Sequence, residues 1–123
     1  MLLKDFYKVI SIENSAENKH LALIHINAEH EVFKGHFPGN PIMPGVCMMQ
    51  IIKELTEQIS GRSLFMQSLS NVKFMALINP FNTPELRLEL DISITDTDLL
   101  KVKNVTYFND TLALKLNSVY KKV

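Results

Sequence analysis

The residues best suited to chemistry lie in one loop rich in glycine and proline, spanning residues 33–46. Three of the chain's four glycines and three of its five prolines fall within this loop. Its backbone shape is therefore restricted by the sequence itself. His36 stands within the loop, and histidine is the side chain that most readily moves a proton near neutral pH. The pattern predicts a firmly held proton-transfer group.

A helix is predicted to begin eight residues after His36, at Pro44. The first N–H groups of a helix have no partner within it, and they lie at the positive end of its dipole. Gly45 has no side chain to keep a ligand from its backbone N–H. A carbonyl oxygen that gains negative charge can bind there. His36 and Gly45 together suit proton abstraction next to a thioester carbonyl.

The helix that carries Gly45 is predicted to begin at Pro44 and to end at Gly61, a length of about 16 residues or roughly 24 Å. Proline is tolerated in a first turn, and glycine adopts the left-handed conformation that ends many helices. Apolar residues leave hardly any polar face in the first two turns. We therefore expect the N-terminal half of the helix to be wrapped by protein.

The rest of the chain has the patterns of β-strands, at residues 7–13, 21–28, 64–78, 86–95, 99–108 and 112–120. Alternation is clearest in residues 86–95, where leucine or isoleucine takes every second position, which is typical of a sheet with one dry face. One mostly buried helix and five or six antiparallel strands predict an α+β fold in which the sheet curls around the helix. We expect residues 1–123 to form a single domain.

Composition limits the classes of function. Thirteen basic and thirteen acidic side chains cancel and are interspersed, so nucleic acid is not expected as a partner. No apolar run approaches the ~20 residues of a membrane span, and no secretory signal pattern begins the chain, which favours a cytoplasmic protein without a membrane partner. Cys47 is the sole cysteine, and no histidine has the spacing of a zinc site, so no disulfide or metal is expected.

Two stretches, residues 35–39 (GHFPG) and 41–46 (PIMPGV), resemble the signature of the hotdog-fold 3-hydroxyacyl-[acyl-carrier-protein] dehydratases. At lower specificity, residues 71–74 and 86–88 resemble the central strands of that family. The resemblance implies a hotdog dimer, or a higher oligomer, in which two long helices are wrapped by sheets that join edge to edge. It places two active sites at the interface between the subunits.

The resemblance also implies roles for residues. His36 would remove the α-proton of a 3-hydroxyacyl thioester, held in orientation by the carbonyl oxygen of Ile42, and the Gly45 N–H would polarise the substrate carbonyl. Phe37, Ile42 and Val46 would contact the substrate. The product would be a trans-2-enoyl thioester. The phosphopantetheine arm would arrive with the acyl carrier protein, so no bound cofactor is expected. A cis peptide between His36 and Phe37 is also expected.

One position departs from this family. Its helix carries a Glu or Asp that reaches into the partner's site, five residues after the glycine that corresponds to Gly45, and here that position is Gln50. A carboxyl group can protonate a departing hydroxyl, whereas an amide can only hydrogen-bond to it. Glu54 lies on the same face, but its position is ~6 Å further along the helix, too far to take the same place.

Three functions therefore stay open. The first is an active dehydratase, in which Gln50 positions the hydroxyl or a water while His36 alone carries the proton from carbon to oxygen. The second is a catalytically impaired subunit, whose related hotdog partner supplies the missing carboxylate in a heterodimer. The third is a hotdog thioesterase, in which water attacks the carbonyl. The expected partners are an acyl carrier protein and a second hotdog chain, identical or related.

Overall fold

The computed structural model describes residues 4–34 and 42–123. Within them it contains β1 (Tyr7–Ala16), β2 (Lys19–Ile26), α1 (Glu31–Lys34), α2 (Gly45–Ser60), β3 (Leu64–Phe74), β4 (Glu85–Ile94), β5 (Leu100–Phe108) and β6 (Thr111–Lys122). The strands form one antiparallel sheet in the order β1-β2-β4-β5-β6-β3. The predicted α+β class is confirmed. In these two ranges no helix has the length and apolar character needed to cross a membrane.

The ends of α2 are set by its flanking residues, as predicted. Pro44 is the N-cap, with extended backbone at φ −66° and ψ 140°. Gly61 follows the helix with φ 70°, and its N–H donates to the Glu57 carbonyl at 2.9 Å. Glycine takes this left-handed conformation without strain. The chain can therefore leave the helix and enter β3 within a few residues.

The core joins α2 to one face of the sheet. The helix contributes Cys47, Met48, Ile51, Ile52 and Leu55, and the inner strands contribute Ala22, Ile24, Leu86, Leu88, Leu90, Val102, Leu114 and Leu116. The predicted alternation in β4 is found from Leu86 to Ile92, but Ile94 at the strand end is 66% exposed. Burial of this face fixes which side of α2 packs on the sheet.

Two expectations about elements were wrong. The strand expected over residues 64–78 ends at Phe74. The next two residues leave the regular pairing with β6, because the N–H groups of Met75 and Ala76 both donate to the same acceptor, the Ala113 carbonyl. The short helix α1 was not expected, since four residues are too few to produce a helical pattern.

The N-terminal half of α2 is less enclosed than expected. Cys47 and Met48 are buried, but Val46 is 63% exposed. Within one chain the described residues leave this first turn partly open. Any protein contact that covers Val46 must come from outside these described residues.

β3 is an edge strand in this chain, whereas residues 71–74 were expected to resemble a central one. Among the described strands it pairs with β6 alone, and its other side has no neighbouring strand there. Along it and just after it, five large apolar side chains are exposed: Phe65, Val72, Phe74, Met75 and Leu77. Unpaired edges and exposed apolar patches mark surfaces that another protein covers. β3 becomes central only if a second sheet joins it.

Candidate active site

His36 and Phe37 lie outside the described residues, as does the peptide bond between them, so their roles stay predictions. The residues that flank this segment are well held. On one side, Phe33 is buried and stacks on Phe6, with ring centroids 5.3 Å apart. On the other, the N–H of buried Met43 donates to the Ile78 carbonyl at 2.8 Å. The described residues on both sides of the segment are thus anchored in the core.

His30 contributes to this anchoring. Its Nδ1 accepts a hydrogen bond from the Val32 N–H at 3.1 Å, so Nε2 carries the proton that goes to the Lys4 carbonyl, also at 3.1 Å. His30 is half-buried, and its ring supports the start of α1, beside Phe6.

The start of α2 borders an apolar cavity of about 420 Å³, within the range of roughly 300–1,000 Å³ usual for small-molecule sites. Its walls include Ile42, Gly45, Met48, Phe74 and Leu114. A larger cleft, about 580 Å³, lies beside the start of β1 but does not reach this helix. Of these two, the cavity at α2 combines apolar walls with a helix N-terminus, which makes it the better candidate for an acyl thioester.

Backbone donors are available at this helix start. Pro44 supplies no side-chain cap, and its carbonyl accepts from the N–H groups of Cys47 and Met48 at 3.1 and 3.3 Å. Among the described residues, no backbone carbonyl accepts from the N–H of Gly45 or Val46. The position of Gly45 therefore fits its predicted role as an oxyanion donor.

Gly45 is also needed for packing. A Cβ added here would lie 2.7 Å from Cζ of Phe74. The Phe74 ring therefore lies directly against the Gly45 backbone and forms one wall of the cavity. Ile42 is half-buried on another wall, while Val46 is mostly exposed. Their predicted contacts with substrate stay predictions.

Gln50 belongs to a polar cluster on another side of α2. Its Nε2 donates to Oε2 of Glu54 at 2.9 Å, and the Tyr7 hydroxyl donates to Oε1 of the same carboxylate at 2.8 Å. Burial, and then the bond to Glu54, raise the pKa of Tyr7 above its usual range. The hydroxyl of Tyr7 is therefore a donor at any physiological pH.

This cluster was only partly visible in the sequence. Glu54 was set aside only as a replacement for the family's acid. Its direct bond to Gln50 was not predicted, although side chains four residues apart on a helix meet. Tyr7 was not identified, since it lies on β1 and is separated from Glu54 by 47 residues. No local pattern could have indicated that contact.

Gly45 and Gln50 do not face the same site within one chain. Five residues at ~100° each place Gln50 about 140° around the helix from Gly45, and ~7.5 Å further along it. One copy of α2 therefore presents its backbone donors and its Gln50 amide in different directions. That Gln50 serves the site of a partner subunit stays a prediction.

The sulfur-containing side chains near the site have structural positions. Cys47 is buried, and burial raises the pKa of its thiol, which makes it a poor nucleophile. Met43 and Met48 are buried in the core.

Comparison with protein families gives a match to the model described as ApeI-like, ApeI dehydratase, over residues 12–110. Curated relatives include the 3-hydroxyacyl-[acyl-carrier-protein] dehydratase FabZ of Caulobacter sp. (strain K31), 30% identical over 90 residues, covering 66% of this chain and 54% of the relative. The enzyme of the same name from Latilactobacillus sakei subsp. sakei (strain 23K) is 32% identical over 78 residues, covering 58% and 56%. The chain spans little more than half the length of these relatives.

Solved structures share the whole architecture. The dehydratase heterocomplex ApeI:P from Xenorhabdus doucetiae superposes with a TM-score of 0.72 at 19% identity, covering 93% of this chain and 97% of the other. Cj0977, a sigma28-regulated virulence protein from Campylobacter jejuni, gives 0.71 at 10% identity, covering 100% and 88%. At these identities the likeness concerns the fold, and the predicted hotdog fold is confirmed.

Proposed function

Because the chain belongs to the ApeI-like dehydratase family, we propose that it removes water from a 3-hydroxyacyl thioester on acyl carrier protein, giving the trans-2-enoyl thioester. The reaction would serve fatty acid biosynthesis or a related acyl-chain pathway in the cytoplasm. The observation that carries the proposal is the N-terminus of α2, whose first N–H groups border an apolar cavity of about 420 Å³. The phosphopantetheine arm arrives with the carrier protein, and the proposal requires no other cofactor or metal.

In this proposal His36 takes the proton from C2, and the Gly45 N–H binds the carbonyl oxygen as negative charge develops on it. The imidazolium of His36 then gives its proton to the hydroxyl oxygen on C3. The C3–O bond breaks, water leaves, and the C2–C3 double bond forms. His36 ends the cycle neutral, so one group serves as base and acid. Gln50 of the partner subunit holds the hydroxyl but supplies no proton.

The partner in the proposal is a second hotdog chain that joins the β3 edge. The exposed apolar residues along β3 support this, as does the exposure of Val46 at the start of α2. The direction of Gln50, away from the Gly45 side of its own helix, supports a site completed across the interface.

A second candidate is a subunit that works only with a related chain. Two observations favour it: Gln50 is not an acid, and the neighbour from Xenorhabdus doucetiae is a dehydratase heterocomplex. In the proposed heterodimer of this chain, the related subunit supplies a Glu or Asp to the site that contains His36.

The test is a direct dehydration assay with 3-hydroxyacyl carrier protein, using the chain alone and together with a related hotdog subunit. Product from the chain alone, abolished by His36→Ala and kept by the exposed control His25→Ala, supports the first candidate. Product only from the mixture supports the second. Absence of product in both overturns the proposal, and release of free thiol from thioesters without a 3-hydroxyl would indicate a thioesterase instead.

A further inference from the structure

We propose that Glu54 and Tyr7 are positioning residues, which hold the Gln50 amide so that its carbonyl oxygen faces the hydroxyl of the substrate. The inference rests on the proposed function and specifies how its site works without the family's carboxyl group. Glu54 and Tyr7 act through Gln50 and do not touch the substrate themselves.

The orientation of the amide follows from the chemistry of its neighbour. A carboxylate only accepts hydrogen bonds, so the group of Gln50 that lies 2.9 Å from Glu54 Oε2 must be the amino group. The amino group and the carbonyl oxygen are on opposite sides of the amide carbon. With Nε2 fixed on Glu54, Oε1 is turned away from it. Gln50 therefore presents an acceptor.

The hydrogen bond from Tyr7 distinguishes the Gln50–Glu54 pair from an ordinary pair on a helix surface. A Gln–Glu pair four residues apart is weak and readily exchanged for water. Here a second donor, from a different element, holds the other oxygen of the carboxylate at 2.8 Å in a partly buried position. Because the Tyr7 hydroxyl keeps its proton, it can donate to this carboxylate throughout the physiological pH range. The carboxylate is fixed from two sides, and the amide is fixed by the carboxylate.

An acceptor at this place has a chemical consequence. The hydrogen of the substrate's C3 hydroxyl bonds to Gln50 Oε1, which leaves lone pairs on the hydroxyl oxygen free for the proton from His36. An amino group in the same place would donate to that oxygen and compete with the incoming proton. The orientation set by Glu54 thus favours departure of water by the one-histidine route.

A double-mutant cycle tests the inference on the assembly that performs dehydration. Glu54→Gln preserves size but brings an NH₂ group that can bond Gln50 Oε1 and reverse the amide. We expect kcat to fall about tenfold, the usual scale for a hydrogen bond to a charged group, with KM unchanged. In a Gln50→Ala background the same substitution should have no further effect. An equal fall in both backgrounds, or no fall in the wild type, overturns the inference.

Tyr7→Phe provides a milder variant, since the Gln50–Glu54 bond is kept. We expect kcat to fall about threefold. Tyr107→Phe is the matched control, because the Tyr107 ring packs on Arg87 4.5 Å away and should lose nothing with its hydroxyl. A fall in Tyr107→Phe as large as that in Tyr7→Phe would contradict the assignment.

A readout independent of activity separates this inference from the proposed function. If no assembly forms the enoyl product, the proposed function fails, and nuclear magnetic resonance of the ¹⁵N-labelled wild type decides the inference. The Gln50 side-chain NH₂ should exchange with solvent more slowly than that of exposed Gln58, and this protection should decrease in Tyr7→Phe. Equal exchange of Gln50 and Gln58 overturns it.

Discussion

Replacing Gln50 by glutamate introduces the carboxyl group that the family resemblance predicts at this position, and it places that group next to Glu54. Gln50 Nε2 lies 2.9 Å from Glu54 Oε2, so Gln50→Glu brings two carboxylates together. Charges about 4 Å apart repel by about 4 kcal/mol at an effective dielectric constant near 20. Solvent access and rotation of the side chain reduce this to roughly 2 kcal/mol. The repulsion raises the pKa of the introduced carboxyl well above its usual range.

An acid with a raised pKa keeps its proton closer to neutral pH and can protonate the departing hydroxyl. We expect kcat of dehydration to rise by at least about tenfold over Gln50, at the lower limit of general acid catalysis. The pH profile should be bell-shaped, because dehydration then requires one protonated and one deprotonated group. The assay is kcat against pH from pH 5 to 9 with a 3-hydroxyacyl carrier protein. Gln58→Glu, exposed on the same helix, is the control.

Stability supplies a second measurement. The raised pKa means that the folded state holds the proton more tightly than the unfolded state. The free energy of unfolding therefore falls as pH rises from about 4.3 towards neutrality. Gln50→Glu should be as stable as wild type at about pH 3.5, below the usual pKa of glutamate, and about 2 kcal/mol less stable at pH 8. Equal stability at both pH values would show that the two groups are not adjacent, and a fall in kcat would show that the introduced carboxyl does not act as an acid.

Three further predictions concern the cavity, the interface and the core. Gly45→Ala should displace the Phe74 ring, which is 57% exposed and able to move. We therefore expect the free energy of unfolding, measured by urea denaturation, to change by about 1 kcal/mol or less. The value of kcat/KM should fall clearly. Val72→Lys on the β3 edge should dissociate the assembly in analytical ultracentrifugation, whereas Ile10→Lys on the β1 edge should leave it intact. Leu88→Ala, at a fully buried position, should cost about 2–5 kcal/mol in the same urea assay, and Ile94→Ala, 66% exposed, less than about 0.5.

The sequence by itself determined the features that depend on near neighbours in the chain. Pro44 and Gly61 set the ends of α2. The proline ring restricts the backbone dihedral angle of Pro44, whereas Gly61 has no side chain and adopts the left-handed conformation without strain. The alternation in β4 was readable because side chains of a strand alternate between faces. That residue 50 is an amide and not an acid follows from the residue type alone.

The tertiary structure decided what depends on distant parts of the chain. The partnership of Tyr7 with Glu54 joins residues 47 positions apart, and it exists because the sheet brings the start of β1 to α2. The edge position of β3 depends on the order of strands, which periodicity does not specify. The opposite directions of Gly45 and Gln50 matter only once α2 is seen against the cavity and the sheet. Local pattern fixes dihedral angles and faces, whereas contacts between elements depend on how the whole chain buries its apolar surface.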